Sequence, residues 1–178
     1  MYLWMAADLG NALEAAREKA LAENRRIGLS EVAFTLPAHV SLKISFPADD
    51  KIWQDIARKA AAIFRGCPAF DIRVKGLERR GDCLWIAMEE NEMLKGLHEK
   101  MTALAEWAGI SPHPFDRAFL YHSTLFLSPE EEKMVKMEQA LQDFPLPEKI
   151  SVRGFLIGGS ETGRPGEYRV FHRIPAMK

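Results

Sequence analysis

Two short segments of this chain place a histidine and a hydroxyl side chain two residues apart: His39-Val40-Ser41-Leu42-Lys43 and His122-Ser123-Thr124-Leu125. Each lies in an apolar run of strand character, where residues i and i+2 share a face. His39 and Ser41 are therefore expected side by side, as are His122 and Thr124, with Lys43 and Phe126 continuing the same faces. Brought together, the two pairs suit displacement at phosphorus. One imidazole, neutral, takes a proton from an attacking water or ribose hydroxyl. The other, protonated, gives a proton to the leaving oxygen. An ordinary pKa of about 6.5 lets both states coexist near neutrality. Ser41 and Thr124 are placed to donate hydrogen bonds to the non-bridging oxygens, where charge builds up. Lys43 would add a positive charge, and Tyr121 and Phe126 offer rings on which a base could stack. This scheme calls on no metal or other cofactor, and the sequence has no H-E-x-x-H, carboxylate cluster or Cys/His set of metal-binding spacing.

The elements that must position these residues recur along the chain. Strand patterns are expected over 2–7, 38–46, 70–74, 83–88, 118–127, 150–157 and 168–174. Helical patterns fall over 8–24, from Asp50 to near Gly66, over 91–108, and from Ser128 to near Phe144. A break is expected at Gly28-Leu29-Ser30, and a flexible hairpin at the glycine-rich stretch 158–166. Leu3-Trp4-Met5-Ala6 matches Leu84-Trp85-Ile86-Ala87, and Gly28-Leu29-Ser30 matches Gly109-Ile110-Ser111, both 81 residues on. His122 follows His39 by 83, and Val152-Arg153-Gly154-Phe155 follows Val74-Lys75-Gly76-Leu77 by 78. Matches in constant order with small drift are the mark of two copies of one unit. The expected organisation is a single bilobal domain over 1–178, with a repeat of about 1–82 and 83–178. A pseudo-twofold axis would set His39 opposite His122 across a central cleft. Lys75 and Arg153 match in the repeat and are candidate phosphate ligands; Trp4 and Trp85 match and are expected in the core. His98 is expected to be solvated on its helix, and His113 to lie in a loop. His172 is a weaker candidate for the cleft.

With 178 residues, 47% of them hydrophobic and 28% charged, the chain has the composition of an ordinary globular domain. A formal net charge of −1 speaks against a broad basic surface for long nucleic acid, but not against a small anionic ligand in a local pocket. Cys67 and Cys83 are too few and too isolated for a disulfide framework and are expected as reduced, buried thiols. No stretch has the length of a membrane span or the form of a signal peptide, so a cytoplasmic location is expected. No obligate protein partner is evident.

Paired H-x-[S/T] motifs, one in each half of a repeat, resemble those of the two-histidine phosphoesterase superfamily, in its 2′-5′ RNA ligase-like branch. The resemblance covers nearly the whole chain. It implies an α+β fold with two antiparallel sheets lining a central cleft and helices packed outside. It also implies metal-independent action on 2′,3′-cyclic phosphates of nucleotides or short RNA ends, with a small nucleotide or RNA terminus as partner. The same site would serve an RNA 2′-5′ ligase or 2′-5′ phosphodiesterase, and a non-catalytic nucleotide-binding module is the alternative from another class. Two departures stand out. Ser123 holds a position that is usually apolar, and Leu127 stands where many relatives carry arginine. If that arginine helps to hold phosphate, either Lys43, Lys75 or Arg153 must replace it, or affinity is weaker.

Overall fold

Alternating and helical apolar patterns resolve into two four-stranded antiparallel sheets and four helices in a computed structural model that describes residues 1–28 and 34–177. Leu29 and Ser30 of the expected break lie outside the described residues. In chain order the elements are β1 (Tyr2–Asp8), α1 (Glu14–Arg26), β2 (His39–Pro47), α2 (Trp53–Arg65), β3 (Phe70–Arg80) and β4 (Cys83–Met88). Then follow α3 (Glu92–Trp107), β5 (His122–Leu127), α4 (Glu131–Leu141), β6 (Lys149–Val152), β7 (Gly154–Ser160) and β8 (Arg169–Pro175). α2 buries a stripe of Ile56, Ala57, Ala60, Ala61 and Phe64, spaced as one face of a helix requires. α3 starts where the Asn91 side chain accepts from the N–H groups of Met93 and Leu94, at 3.0 and 3.1 Å. That cap satisfies two donors which have no partner inside the helix. No described helix is long and apolar enough to cross a membrane.

The first sheet runs β2-β1-β7-β8 and the second β5-β4-β3-β6, so both motif strands are sheet edges. β2 and β5 lie alongside each other. The two halves of the sequence are interlaced rather than dealt one to each sheet. β3, from the first half, pairs with β4 and β6, whereas β7, from the second half, pairs with β1. α1 packs on α4 and β5, and α3 on α2 and β2. One apolar core runs through both sheets and all four helices. The first half therefore lends α1 and β3 to the other, and the second lends α3, β7 and β8 in return.

Three expectations change here, the first being that the strand expected over 70–74 runs on to Arg80. The strand expected over 150–157 is two strands, β6 and β7, parted at Arg153 and belonging to different sheets. Gly158 and Gly159, expected in a loop, lie within β7 opposite Trp4 and Leu3. A Cβ on Gly158 would come within 2.6 Å of the Trp4 indole nitrogen and would also meet the Arg169 carbonyl. Glycine serves close approach in this strand, not flexibility.

Candidate active site

His39 opens β2 and His122 opens β5. The Nδ1 of His39 lies 2.8 Å from the Pro37 carbonyl oxygen, and that of His122 2.9 Å from the Leu120 carbonyl oxygen. A carbonyl only accepts, so each Nδ1 carries the hydrogen and Nε2 is left to exchange a proton. Ser41 and Thr124 follow on the same faces, opposite Ala6 and Trp85, and both are half-buried. Each imidazole leans on the tryptophan of the adjoining strand. Ring centroids are 4.9 Å apart for Trp4 and His39, and 4.1 Å for Trp85 and His122. Trp4 and Trp85 are only 4% and 8% exposed. They are buried as expected, but as the bed of the histidines rather than in the helix-facing core.

The histidines are tuned alike. Burial is the main cause holding both below the usual 6.5. The Pro37 and Leu120 carbonyls oppose it. The positive charges of Arg17 and His122 lower His39 further and Asp8 raises it, while Arg80 lowers His122 further. That His122 acts on His39 places the two rings within electrostatic reach. Cys83 also lies on this face, 4.0 Å from the Thr124 hydroxyl. Burial pushes its thiol up to about 11, so at neutral pH it is a protonated neighbour of Thr124 and not a nucleophile.

Gly158 bears on this bed directly. Gly158→Ala forces Trp4 and the β8 backbone apart. It is expected to lower stability by about 1–3 kcal/mol in urea unfolding, with a change in near-ultraviolet circular dichroism as the indole moves. An unchanged midpoint and spectrum would show that Trp4 has room to yield.

The expectation for Lys43 and Phe126 fails, and one feature explains both. Each motif strand has a bulge directly after its hydroxyl residue: between Ser41 and Lys43 in β2, and between Thr124 and Phe126 in β5. An extra residue reverses the alternation. Lys43 and Phe126, at matching repeat positions, both turn inward and are 1% exposed. Lys43 Nζ pairs with Asp116 Oδ2 at 2.6 Å, so it is not a phosphate ligand of this face. Phe126 is core and offers no ring to a base. Tyr121 also departs from expectation. It packs on Phe119, 4.7 Å between centroids, and lines a groove with Glu90, Glu99 and His98. Burial and the charges of Glu90, Glu92 and Glu99 raise its phenol, surroundings that repel a phosphate.

Arg153 lies in a groove with Asp8, Gly10, Asn11 and Arg173, beside the end of β1 that carries Asp8, the cross-strand partner of His39. Lys75 is exposed at an irregularity of β3. His98, expected in solvent, is buried, its Nδ1 2.8 Å from the Leu42 carbonyl oxygen and its Nε2 3.0 Å from that of Asp116. His113 caps a short turn over Pro114–Asp116. His172 lies beside Trp53 of α2, away from the motif histidines. Among the described residues, no three His, Cys, Asp or Glu side chains are gathered as a metal would require.

A family model described as the 2′-5′ RNA ligase superfamily matches residues 8–159. The chain belongs to that superfamily. Solved structures share the fold across almost the whole length. Escherichia coli LigT, crystallised with 3′-AMP, is 16% identical with a TM-score of 0.66, over 99% of this chain and 98% of LigT. TT0787 of Thermus thermophilus is 20% identical with a TM-score of 0.66, over 99% and 98%. A crystal structure described as a phosphoesterase is 19% identical with a TM-score of 0.63, over 99% of both chains. A search of curated proteins finds no match.

In this superfamily member the basic residue beside His122 is Arg80, which the sequence reading did not single out. It closes β3 at the two-residue turn Gly81-Asp82, and its cross-strand partner is Cys83. Cross-strand partners point to one face, so Arg80 shares the face of Trp85 and His122. A usable signal was present: Gly81, with φ of +57°, fixes a tight hairpin, and counting strand parity from it puts Arg80 with Cys83 and Trp85.

Proposed function

We propose that this protein opens 2′,3′-cyclic phosphates on nucleotides or short RNA ends by paired-histidine acid and base catalysis. The observation that carries the reading is the matched pair of rings on adjoining edge strands, each locked with Nδ1–H on a carbonyl and Nε2 unclaimed. One neutral Nε2 takes a proton from water as its oxygen bonds to phosphorus. The other, protonated, gives its proton to the ribose oxygen as the phosphorus–oxygen bond breaks, leaving a phosphomonoester. Ser41 and Thr124 donate to the non-bridging oxygens. LigT structures with 3′-AMP, NADP+ and ATP support a nucleotide as ligand. With a ribose hydroxyl in place of water the same steps join RNA ends, a second reading favoured by the superfamily's description. The test is hydrolysis of adenosine 2′,3′-cyclic phosphate in the presence of a chelator. Formation of monophosphate supports the reading; tight binding without turnover would replace it with a binding module.

The pH profile follows from burial. Turnover needs one neutral and one protonated imidazole, so kcat/KM peaks between their two free-enzyme values. Both lie below 6.5, and the maximum is therefore expected on the acid side of that value. A bound phosphate favours the imidazolium, so the kcat profile should sit at higher pH than that of kcat/KM. Coincident profiles centred above 7 would contradict a pair of histidines lowered by burial.

A further inference from the structure

The Arg80 guanidinium carbon lies 5.5 Å from the centre of the Trp85 ring, and the same indole backs His122. Among the described residues Arg80 forms no ion pair. Its neighbour Arg79, on the opposite face, is bound to Glu131 and Glu138 of α4. Two adjacent arginines thus divide their work: one ties the sheet to a helix, and the other lies exposed over an aromatic ring with its N–H groups uncommitted. An unpaired guanidinium stacked on an indole is held in place while keeping its fork of donors for an anion. The nearest acidic residue on that face of β3, Glu78, stands opposite Trp85 and makes no pair with it among the described residues.

Where Arg80 lies decides which anion. Arg80, Cys83 and Leu127 form one cross-strand row on β3, β4 and β5. Leu127 is 45% exposed and supplies no charge. Neighbouring strands are about 4.8 Å apart, so Arg80 sits two strands out from the motif strand. It shares the Trp85 indole with His122, and among the described residues the two make no hydrogen bond or ring contact with each other. That spacing suits a phosphate one nucleoside removed.

Building on the proposed function, we propose that Arg80 on Trp85 forms a second phosphate subsite. It would take the 5′-phosphate of the nucleoside whose 2′,3′-cyclic phosphate reacts. The preferred substrates are then 5′-phosphorylated nucleotides or RNA ends rather than bare cyclic mononucleosides.

The test compares kcat/KM for adenosine 2′,3′-cyclic phosphate with that for its 5′-phosphorylated form. The wild-type protein is expected to prefer the second by about tenfold to a hundredfold, the worth of one charge-assisted contact. Arg80→Gln should bring the ratio near one, Arg80→Lys should keep part of it, and Arg79→Gln should leave the ratio as it is. A wild-type ratio of one, or equal loss on both substrates in Arg80→Gln, overturns the subsite. Calorimetry with adenosine 3′,5′-bisphosphate and 3′-AMP reads the same contact without turnover. If neither cyclic phosphate is opened yet the bisphosphate binds more tightly in an Arg80-dependent way, the subsite stands and the proposed reaction falls. Equal binding of both ligands by wild type and Arg80→Gln removes the subsite.

Discussion

Replacing either His39 or His122 with alanine is expected to lower kcat/KM for a 2′,3′-cyclic nucleotide by about 10²–10⁴-fold, the usual worth of a positioned proton donor or acceptor. Both losses should be of that size because both rings are prepared in the same way, by a carbonyl on Nδ1 and an indole beneath. The double variant should lose less than the product of the two, since groups that act in one step are not additive. Initial rates on purified variants with intact circular dichroism give the answer, and a loss below tenfold in both would remove these residues from the chemistry. Stability carries a linked signature. In the folded protein burial holds both imidazoles below their usual pKa, whereas the unfolded chain protonates at the usual 6.5. The unfolded state therefore binds more protons below that value, and stability falls as pH drops from it toward the lower folded-state values. His39→Ala and His122→Ala should each flatten that decline.

The repeat, the motif pair and the α+β class were legible because they depend on residue type and spacing alone. His39, Ser41, His122 and Thr124 precede any irregularity in their strands, so simple alternation places them on one face. Past the hydroxyl it fails, since nothing in Leu42-Lys43 or Leu125-Phe126 announces a bulge. A bulge is set by pairing with β1 and β4, which lies outside the strand's own sequence. Arg153 illustrates a second limit. Ile150, Val152 and Phe155 to Ile157 are apolar on either side of Arg153-Gly154, and it is the closing of two separate sheets that divides the run there. Arg80 marks a third: an arginine at a hairpin end has no periodic signature, and its meaning comes from Trp85, which precedes His122 by 37 residues.

Lys43→Met should be the most destabilising change near the site. It leaves the Asp116 carboxylate, 2% exposed, without its cation. Breaking a buried pair from one side costs about 3–5 kcal/mol, a large share of the roughly 5–15 kcal/mol that holds a typical domain together. Lys43→Met combined with Asp116→Asn should recover most of that loss. The charge is then gone from both sides, and the asparagine oxygen can still accept from the His113 N–H, which lies 2.7 Å from Asp116 Oδ2. Urea midpoints of the two singles and the double close the cycle. Equal midpoints for wild type and Lys43→Met, with a raised KM, would instead return Lys43 to the role of phosphate ligand. The pair is not demanded by the bulge, because Phe126 fills the matching place in β5 with no charge at all. What the pair adds is a tie between β2, two residues after Ser41, and the turn over Pro114–Asp116 that leads into the His122 strand. His98 bridges the same two segments through the Leu42 and Asp116 carbonyls. Loosening that tie should therefore cost kcat in proportion to how far it lets the two motif strands drift apart, even where the folded fraction is restored.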